Sequence, residues 1–209
     1  MRILIADDHA VLRSGLKLML SGALAEATFG EAESCQQALD AALHQPWSLI
    51  ILDISMPGRG GLDVLKEIRA QRITTPVLML SMYAERQFAV RAFRAGASGY
   101  LTKASAGSEL IRAVERVLAG GRYVSTVLAE QLAAVLGDHS CDLSHERLSD
   151  REFEILRLIG SGKTVKEIAF DLSLSSNTVS TYRSRILEKM NLHTNAELTH
   201  YTISNGLIE

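Results

Sequence analysis

The sequence is poor in cysteine, has no long apolar run and carries almost no net charge, and each deficit removes a class of function. Its 209 residues include two cysteines, Cys35 and Cys141, set far apart and matching neither a disulfide framework nor a metal-ligand spacing. That usage fits a reducing compartment. The first apolar stretch, Ile3-Leu4-Ile5-Ala6, runs straight into Asp7-Asp8 and is too short for a signal peptide. No other run approaches the roughly 18 apolar residues that a membrane span needs. A soluble, cytoplasmic protein without a membrane partner is therefore expected. Lys+Arg and Asp+Glu total 22 and 24, a formal balance of −2. Up to Gly120 the counts are 13 and 12, and beyond it 9 and 12. Neither part has the basic surplus that advertises nucleic-acid binding. Internal repeats and low-complexity tracts are also missing.

What is present is an ordinary globular composition, 47% hydrophobic and 22% charged, in a chain long enough for one or two domains. Strand-like runs occur at 2–6, 26–32, 48–53, 76–81 and 99–102. Three of them, Ile3-Leu4-Ile5, Leu49-Ile50-Ile51-Leu52 and Val77-Leu78-Met79-Leu80, are apolar throughout, as strands buried on both faces of a parallel sheet are. Helix-period segments alternate with them: Val11, Leu12, Leu16 and Met19 form one stripe, Leu62, Leu65 and Ile68 another, and 35–44, 86–95 and 108–119 follow. Five strands alternating with five helices read as a doubly wound, five-stranded parallel α/β domain over 1–120. From Gly121 the alternation stops. An amphipathic helix is expected over 125–136, a polar linker over 137–145, and then a smaller all-α domain over 144–209 with helices at 150–159, 164–172, 176–190 and 194–204. Ser149-x-x-Glu152 reads as a capping box and Gly160-Ser161-Gly162 as a helix stop.

Polar residues at the ends of apolar strands mark a site, because open α/β sheets bind ligands beyond the carboxyl ends of their strands. Strand one ends in Asp7-Asp8, strand three in Asp53 and strand four in Ser81, while Lys103 follows strand five. If strands one and three are neighbours, three carboxylates converge, and such a cluster calls for a hard cation such as Mg²⁺. A lysine and a hydroxyl facing them suit an anion bridging metal and ammonium. A phosphoryl group fits, with one carboxylate as nucleophile. His9, beside the aspartates, reads as a helix-start residue.

Asp7-Asp8, Asp53-Ile54-Ser55-Met56-Pro57-Gly58 with Gly61 behind it, Ser81, and Tyr100 preceding Lys103 together resemble the receiver domain of bacterial two-component response regulators. The resemblance implies that Asp53 accepts a phosphoryl group from a sensor histidine kinase. It implies that Asp8, Asp53 and the Ser55 backbone carbonyl ligate Mg²⁺, with Asp7 acting largely through water. Ser81 would hydrogen-bond the phosphoryl group, Lys103 would pair with it, and the orientation of Tyr100 would follow Ser81. Ser81 stands where threonine is common, and Ala104 where proline is common, so a cis peptide is not expected there.

The segments 164–172 and 176–190, joined by Ser173-Leu174-Ser175, have the outline of a helix-turn-helix. Ile168, Ala169, Leu172, Leu174, Val179 and Ile186 supply its apolar side. Asn177, Thr178, Ser180, Thr181 and Ser184 are short polar groups suited to base edges, and Arg183, Arg185 and Lys189 suit phosphates. Leu148-Ser149-x-Arg151-Glu152, Gly162-Lys163-Thr164-x-Lys166-Glu167-Ile168-Ala169 and Leu174-Ser175-Ser176-x-Thr178-Val179-x-x-Tyr182-Arg183-x-Arg185-Ile186 resemble the LuxR-type helix-turn-helix. With the receiver, the whole chain resembles a NarL/FixJ-type transcriptional regulator. That implies a homodimer on double-stranded promoter DNA, formed through the helix at 194–204, with RNA polymerase as a further partner. Tyr182, where most members carry histidine, and Glu197-Leu198-Thr199 resemble the GacA/UvrY branch.

Two other readings of the residues stand beside this one. An aspartyl-phosphate hydrolase also uses a strand-end aspartate, Mg²⁺ and a lysine, but expects an acid where Ser55 sits. A protein-binding adaptor whose helical domain never touches DNA is supported by the acidic balance alone. His139-x-Cys141-x₃-His145 offers three candidate ligands without a fourth at zinc spacing and reads as linker. The chain is expected to act as a phosphoacceptor, not as an enzyme on another substrate.

Overall fold

The computed structural model describes residues 1–56, 60–82, 85–125, 129 and 144–208. The chain divides into two compact units, Met1–Asp138 and His139–Glu209. Apart from residues 125 and 129, the expected helix at 125–136 lies outside the described residues, as do His139 and Cys141 of the candidate ligand set.

The first unit holds strands β1 (Arg2–Ala6), β2 (Thr28–Ala32), β3 (Leu49–Asp53), β4 (Val77–Ser81) and β5 (Gly99–Thr102). Interleaved with them are helices α1 (Ala10–Ala23), α2 (Cys35–His44), α3 (Gly61–Ala70), α4 (Glu85–Arg94) and α5 (Ala106–Leu118). All strand pairings are parallel, in the order β2-β1-β3-β4-β5. Every residue of β3 and β4 is buried, which is why these strands read as unbroken apolar runs. The edge strand β2 is mixed instead, with Thr28 and Glu31 exposed. It begins at Thr28 because its first pairing is with Arg2, the first residue of β1, and Ala27 turns back to Leu24.

One core lies between the sheet and helices α1 and α5, built from Ile3, Ile5, Leu16, Leu20, Ile51 and Val114 among others. Leu16 and Leu20 are the core contacts of α1, with Leu12 and Met19 half-buried against them. Val11, expected on that stripe, is 87% exposed. It lies a single residue, about 100° of helix, from the Leu12-Leu16-Leu20 line. Beyond α5, Tyr123 forms a parallel bridge with Gly99 and extends the sheet past the point where alternation ends.

The second unit opens with a 3-10 turn over Ser144–Arg147, so residues 144 and 145 are not open linker. Helices α6 (Asp150–Gly160), α7 (Val165–Asp171), α8 (Ser176–Met190) and α9 (Asn195–Ser204) follow. Each starts on a hydroxyl cap, and Ser149/Glu152 and Thr164/Glu167 form full capping boxes. Phe153, Leu156, Ile168, Val179, Ile186 and Leu198 are buried in its core. Gly160 is the last residue of α6, inside the helix and not past its end. A Cβ there would stand 2.3 Å from Thr202 Oγ1, so glycine lets α9 approach α6.

The connection after β3 is equally tight. Gly61 N–H donates to the Ile54 carbonyl at 2.8 Å, and a Cβ on Gly61 would lie 1.9 Å from the Asp53 carbonyl oxygen. Backbone cannot yield as a flexible side chain can. Gly61→Ala is therefore expected to cost at least about 2 kcal/mol by chemical denaturation of the first unit; an unchanged midpoint would contradict this packing.

Candidate functional site

The order of strands places the strand-end residues together. β1 lies between β2 and β3 with Ala6 opposite Leu52, so Asp7 and Asp53 emerge side by side where the winding of the sheet reverses. Ser81 ends β4 opposite Thr102, and Lys103 N–H donates to the Ser81 carbonyl at 2.7 Å. Asp7, Asp53, Ser81 and Tyr100 are all fully buried. The Lys103 ammonium lies 2.7 Å from Asp7 Oδ2 and 2.8 Å from Asp53 Oδ2. The other Asp53 oxygen accepts the Ser55 backbone N–H at 3.3 Å. Asp7 Oδ1 accepts the backbone N–H of His9 at 2.8 Å. His9 is the N-cap residue of α1, with its ring two-thirds exposed.

One lysine thus faces two wholly buried carboxylates, and a third carboxylate, Asp8, 28% exposed, lies beside them. Burial pushes the Asp53 carboxyl up to about 6 against the pull of Lys103, and the charge of Asp7 adds to the rise. Burial alone would depress Lys103, but its pairing with Asp53 and Asp7 outweighs this and holds it above the ordinary lysine value. Ligand atoms of Asp7, Asp8, His9 and Asp53 lie within 4.8 Å of one another. Among the described residues, no donor meets the buried Asp8 Oδ1 with hydrogen-bond geometry, although His9 Nδ1 lies 2.8 Å away. Hard oxygen donors, excess negative charge and an acceptor left over are what a divalent cation requires, so these residues fit Mg²⁺. Arg13, which the sequence pattern did not single out, donates to the Asp7 carbonyl at 2.7 Å.

In the second unit, α7 and α8 are joined by a short turn in which Ser173 takes a left-handed conformation, φ 51°. Asn177, Ser180, Thr181, Ser184, Arg185 and Lys189 are exposed on α8, while Thr178 and Arg183 are half-buried. Thr181 Oγ1 donates to the Asn177 carbonyl at 3.0 Å and Ser184 Oγ to that of Ser180 at 3.1 Å. Arg183 Nε donates to Asn195 Oδ1. Lys189 is engaged within the fold: its ammonium lies 2.7 Å from Glu152 Oε2, a buried carboxylate that also accepts from Ser149. Burial would raise Glu152, but the bonds from Lys189 and Ser149 hold it below the usual carboxylate value. Arg151, buried beside Glu154, donates to the Leu172 carbonyl at 3.1 Å and so ties α6 to the end of α7. His145 Nδ1 lies 2.8 Å from Tyr201 Oη and its ring stacks on Phe153. Among the described residues no helix is long and apolar enough to cross a membrane.

Two family models match the chain: the response regulator receiver domain over residues 3–115, and the bacterial regulatory proteins of the luxR family over residues 146–202. Response regulator UvrY of Escherichia coli K12 is 33% identical over 206 residues, spanning 98% of this chain and 94% of its own. Response regulator GacA of Pseudomonas protegens is 34% identical over 208 residues, spanning 100% of this chain and 98% of its own. Among solved structures, RcsB of Salmonella enterica serovar Typhimurium bound to a promoter with a beryllofluoride phosphomimetic superposes with a TM-score of 0.60 at 24% identity, covering 96% of this chain and 97% of that one. At that identity the likeness is one of fold.

The raised Asp53 value has a consequence for stability. A carboxyl whose folded value is about 6 and whose ordinary value is 3.8 stabilises the fold fully below the lower figure, and that contribution is lost as pH rises through the upper one. Asp53→Asn is therefore expected to raise the Tm of the metal-free protein at pH 7.5 by at least about 4 °C. The gain should shrink as pH falls below 6; a gain independent of pH would show that ionised Asp53 is not the strained group.

Proposed function

The chain belongs to the two-component response regulators of the NarL/FixJ type, a receiver joined to a LuxR-type DNA-binding domain, and we propose that phosphorylation of Asp53 by a sensor histidine kinase controls its binding to promoter DNA. The observation that carries this reading is Asp53 itself, a fully buried carboxylate with Lys103 at 2.8 Å and two further aspartates beside it. Near neutral pH a carboxyl titrating at about 6 is largely ionised and available as a nucleophile. One Asp53 oxygen forms the new bond to phosphorus as the bond to the kinase histidine breaks, and that imidazole leaves. Lys103 would exchange one carboxylate contact for a phosphoryl oxygen, and the Ser81 hydroxyl would donate to another, with Tyr100 repacking behind it. Mg²⁺, held by Asp8, Asp53 and the Ser55 carbonyl with Asp7 acting through water, would supply charge neutralisation at the phosphoryl oxygens.

For the output unit, 144–209, the reading places the front of α8 in the major groove. Asn177, Thr178, Ser180, Thr181 and Ser184 would face base edges, and Arg183 and Arg185 phosphates, while Lys189 serves the fold first through Glu152. Ile203, 62% exposed on α9, supports a homodimer through that helix. Promoter DNA as target brings with it a cytoplasmic location and RNA polymerase as the downstream partner. The chain is then a phosphoacceptor and switch whose own chemistry is confined to Asp53.

Selection of binding sites from random duplex DNA, with and without beryllofluoride and Mg²⁺, tests both units at once. A two-half-site sequence should be enriched with the mimic, and Asp53→Asn should abolish labelling by acetyl phosphate. Undiminished labelling would remove Asp53 from its role, and no enrichment in either condition would favour a protein-binding adaptor. On the selected site, Arg185→Met should reduce the slope of log affinity against log salt by about one. Lys189→Met should leave that slope unchanged and lower the Tm of the second unit; a reduced slope would assign Lys189 to phosphate.

A further inference from the structure

The buried residues of α1 are Leu16, Leu20 and, unlike them, Arg13. A cation taken out of water is costly unless it is fully engaged. Arg13 NH1 donates to the Asp7 carbonyl at 2.7 Å, and Nε to Glu31 Oε2 on β2 at 3.2 Å. Lys17, one turn further along α1, holds the other oxygen of Glu31 at 3.0 Å. Arg13 is thus braced between the end of β1 and the edge strand.

What it holds is the hinge of that pocket. The Asp7 carbonyl and the Asp8 amide belong to one planar peptide, so fixing the carbonyl oxygen fixes the direction in which Asp8 leaves. The rest of Asp7 is already tied: its N–H donates to Ala32 at 3.1 Å, and its carboxylate meets the His9 N–H and Lys103. Among the described residues, the Arg13 bond is the one that reaches its carbonyl. We infer that Arg13 is a positioning residue for the divalent cation of the acidic pocket, setting the Asp7–Asp8 peptide and through it the carboxylates that hold the ion. The inference rests on the reading of that pocket as a Mg²⁺ site.

Charge and geometry make opposite demands here, which gives the idea a sign. A guanidinium near the site repels a cation, so its removal would tighten Mg²⁺ binding if charge dominated. Glu31 accepts from Arg13 and offsets that charge, so the loss of orientation wins and removal weakens binding.

The test is a calorimetric Mg²⁺ titration of the full chain, with circular dichroism melts to confirm folding. Arg13→Met should raise the Mg²⁺ Kd about 10-fold, the lower end of what losing a group that orients a metal ligand costs. Arg13→Lys keeps the charge and loses the fork, so its Kd should rise by a smaller factor, about threefold. Any weakening in the lysine variant comes from geometry, and this arm decides the matter if the methionine variant does not fold. Lys17→Met, which touches Glu31 but not Asp7, should bind Mg²⁺ as the unaltered chain does. Unchanged or tighter binding in both Arg13 variants would overturn the inference while leaving the pocket intact. A wild-type chain that draws no Mg²⁺ would instead overturn the pocket reading, and the inference with it.

Discussion

Two carboxylates buried at adjacent strand ends, with one ammonium between them, are the condition on which the first unit is organised. Asp7 and Asp53 are both without solvent contact, and Lys103 meets each at hydrogen-bonding distance. Like charges so placed repel strongly where the dielectric is low. The surroundings answer in kind: backbone N–H groups from His9 and Ser55 point at the carboxylates. Burial first, and the charge of Asp7 after it, still leave the Asp53 carboxyl raised against Lys103 and these donors. A bound cation would relieve the rest, and in that sense the pocket is built for a ligand. The strand order serves the same end, because only neighbouring β1 and β3 bring the two aspartates side by side.

The second unit handles charge differently. Its acidic surplus looks like an argument against DNA as a partner, yet several of its carboxylates are engaged in helix caps and ion pairs. Glu152 closes one capping box and takes up Lys189, Glu154 faces Arg151 in the interior, and Glu167 closes a second box. Glu197 accepts the backbone N–H of His193 ahead of α9. Net charge therefore misleads about the face that α8 exposes, where Arg185 stands among short polar groups. Lys189, though exposed, is likewise paired with one of these carboxylates, Glu152.

How much of this could be read in the sequence depends on whether the signal is local. Strands buried on both faces have to be apolar throughout, so β1, β3 and β4 and the aspartates at the ends of two of them were plain. Caps are local as well, and Ser149-x-x-Glu152 announced α6. Other features are set by neighbours far along the chain. Val11 lies off the buried line of α1 because of where the sheet sits, Gly160 stays inside α6 because Thr202 packs on it, and Tyr123 pairs with Gly99. Arg13 had a weak local mark, a cation among buried positions of an amphipathic helix six residues after Asp7. It becomes meaningful only when the Asp7 carbonyl is seen to need a donor.

Burial also bears on how an event at Asp53 could be felt elsewhere. Ser81 and Tyr100 lie fully buried on adjacent strands, β4 and β5. If the Ser81 hydroxyl is drawn to a phosphoryl group, as proposed, a close-packed interior would not deform by degrees, and the Tyr100 ring would either stay in place or repack. A graded input at the pocket would in this way become a choice between two arrangements. Phosphorylation can bias that choice only by the difference in stability it creates between them. The strain at Asp53 is where such a difference would originate, since burial and the charge of Asp7 both disfavour its ionised form.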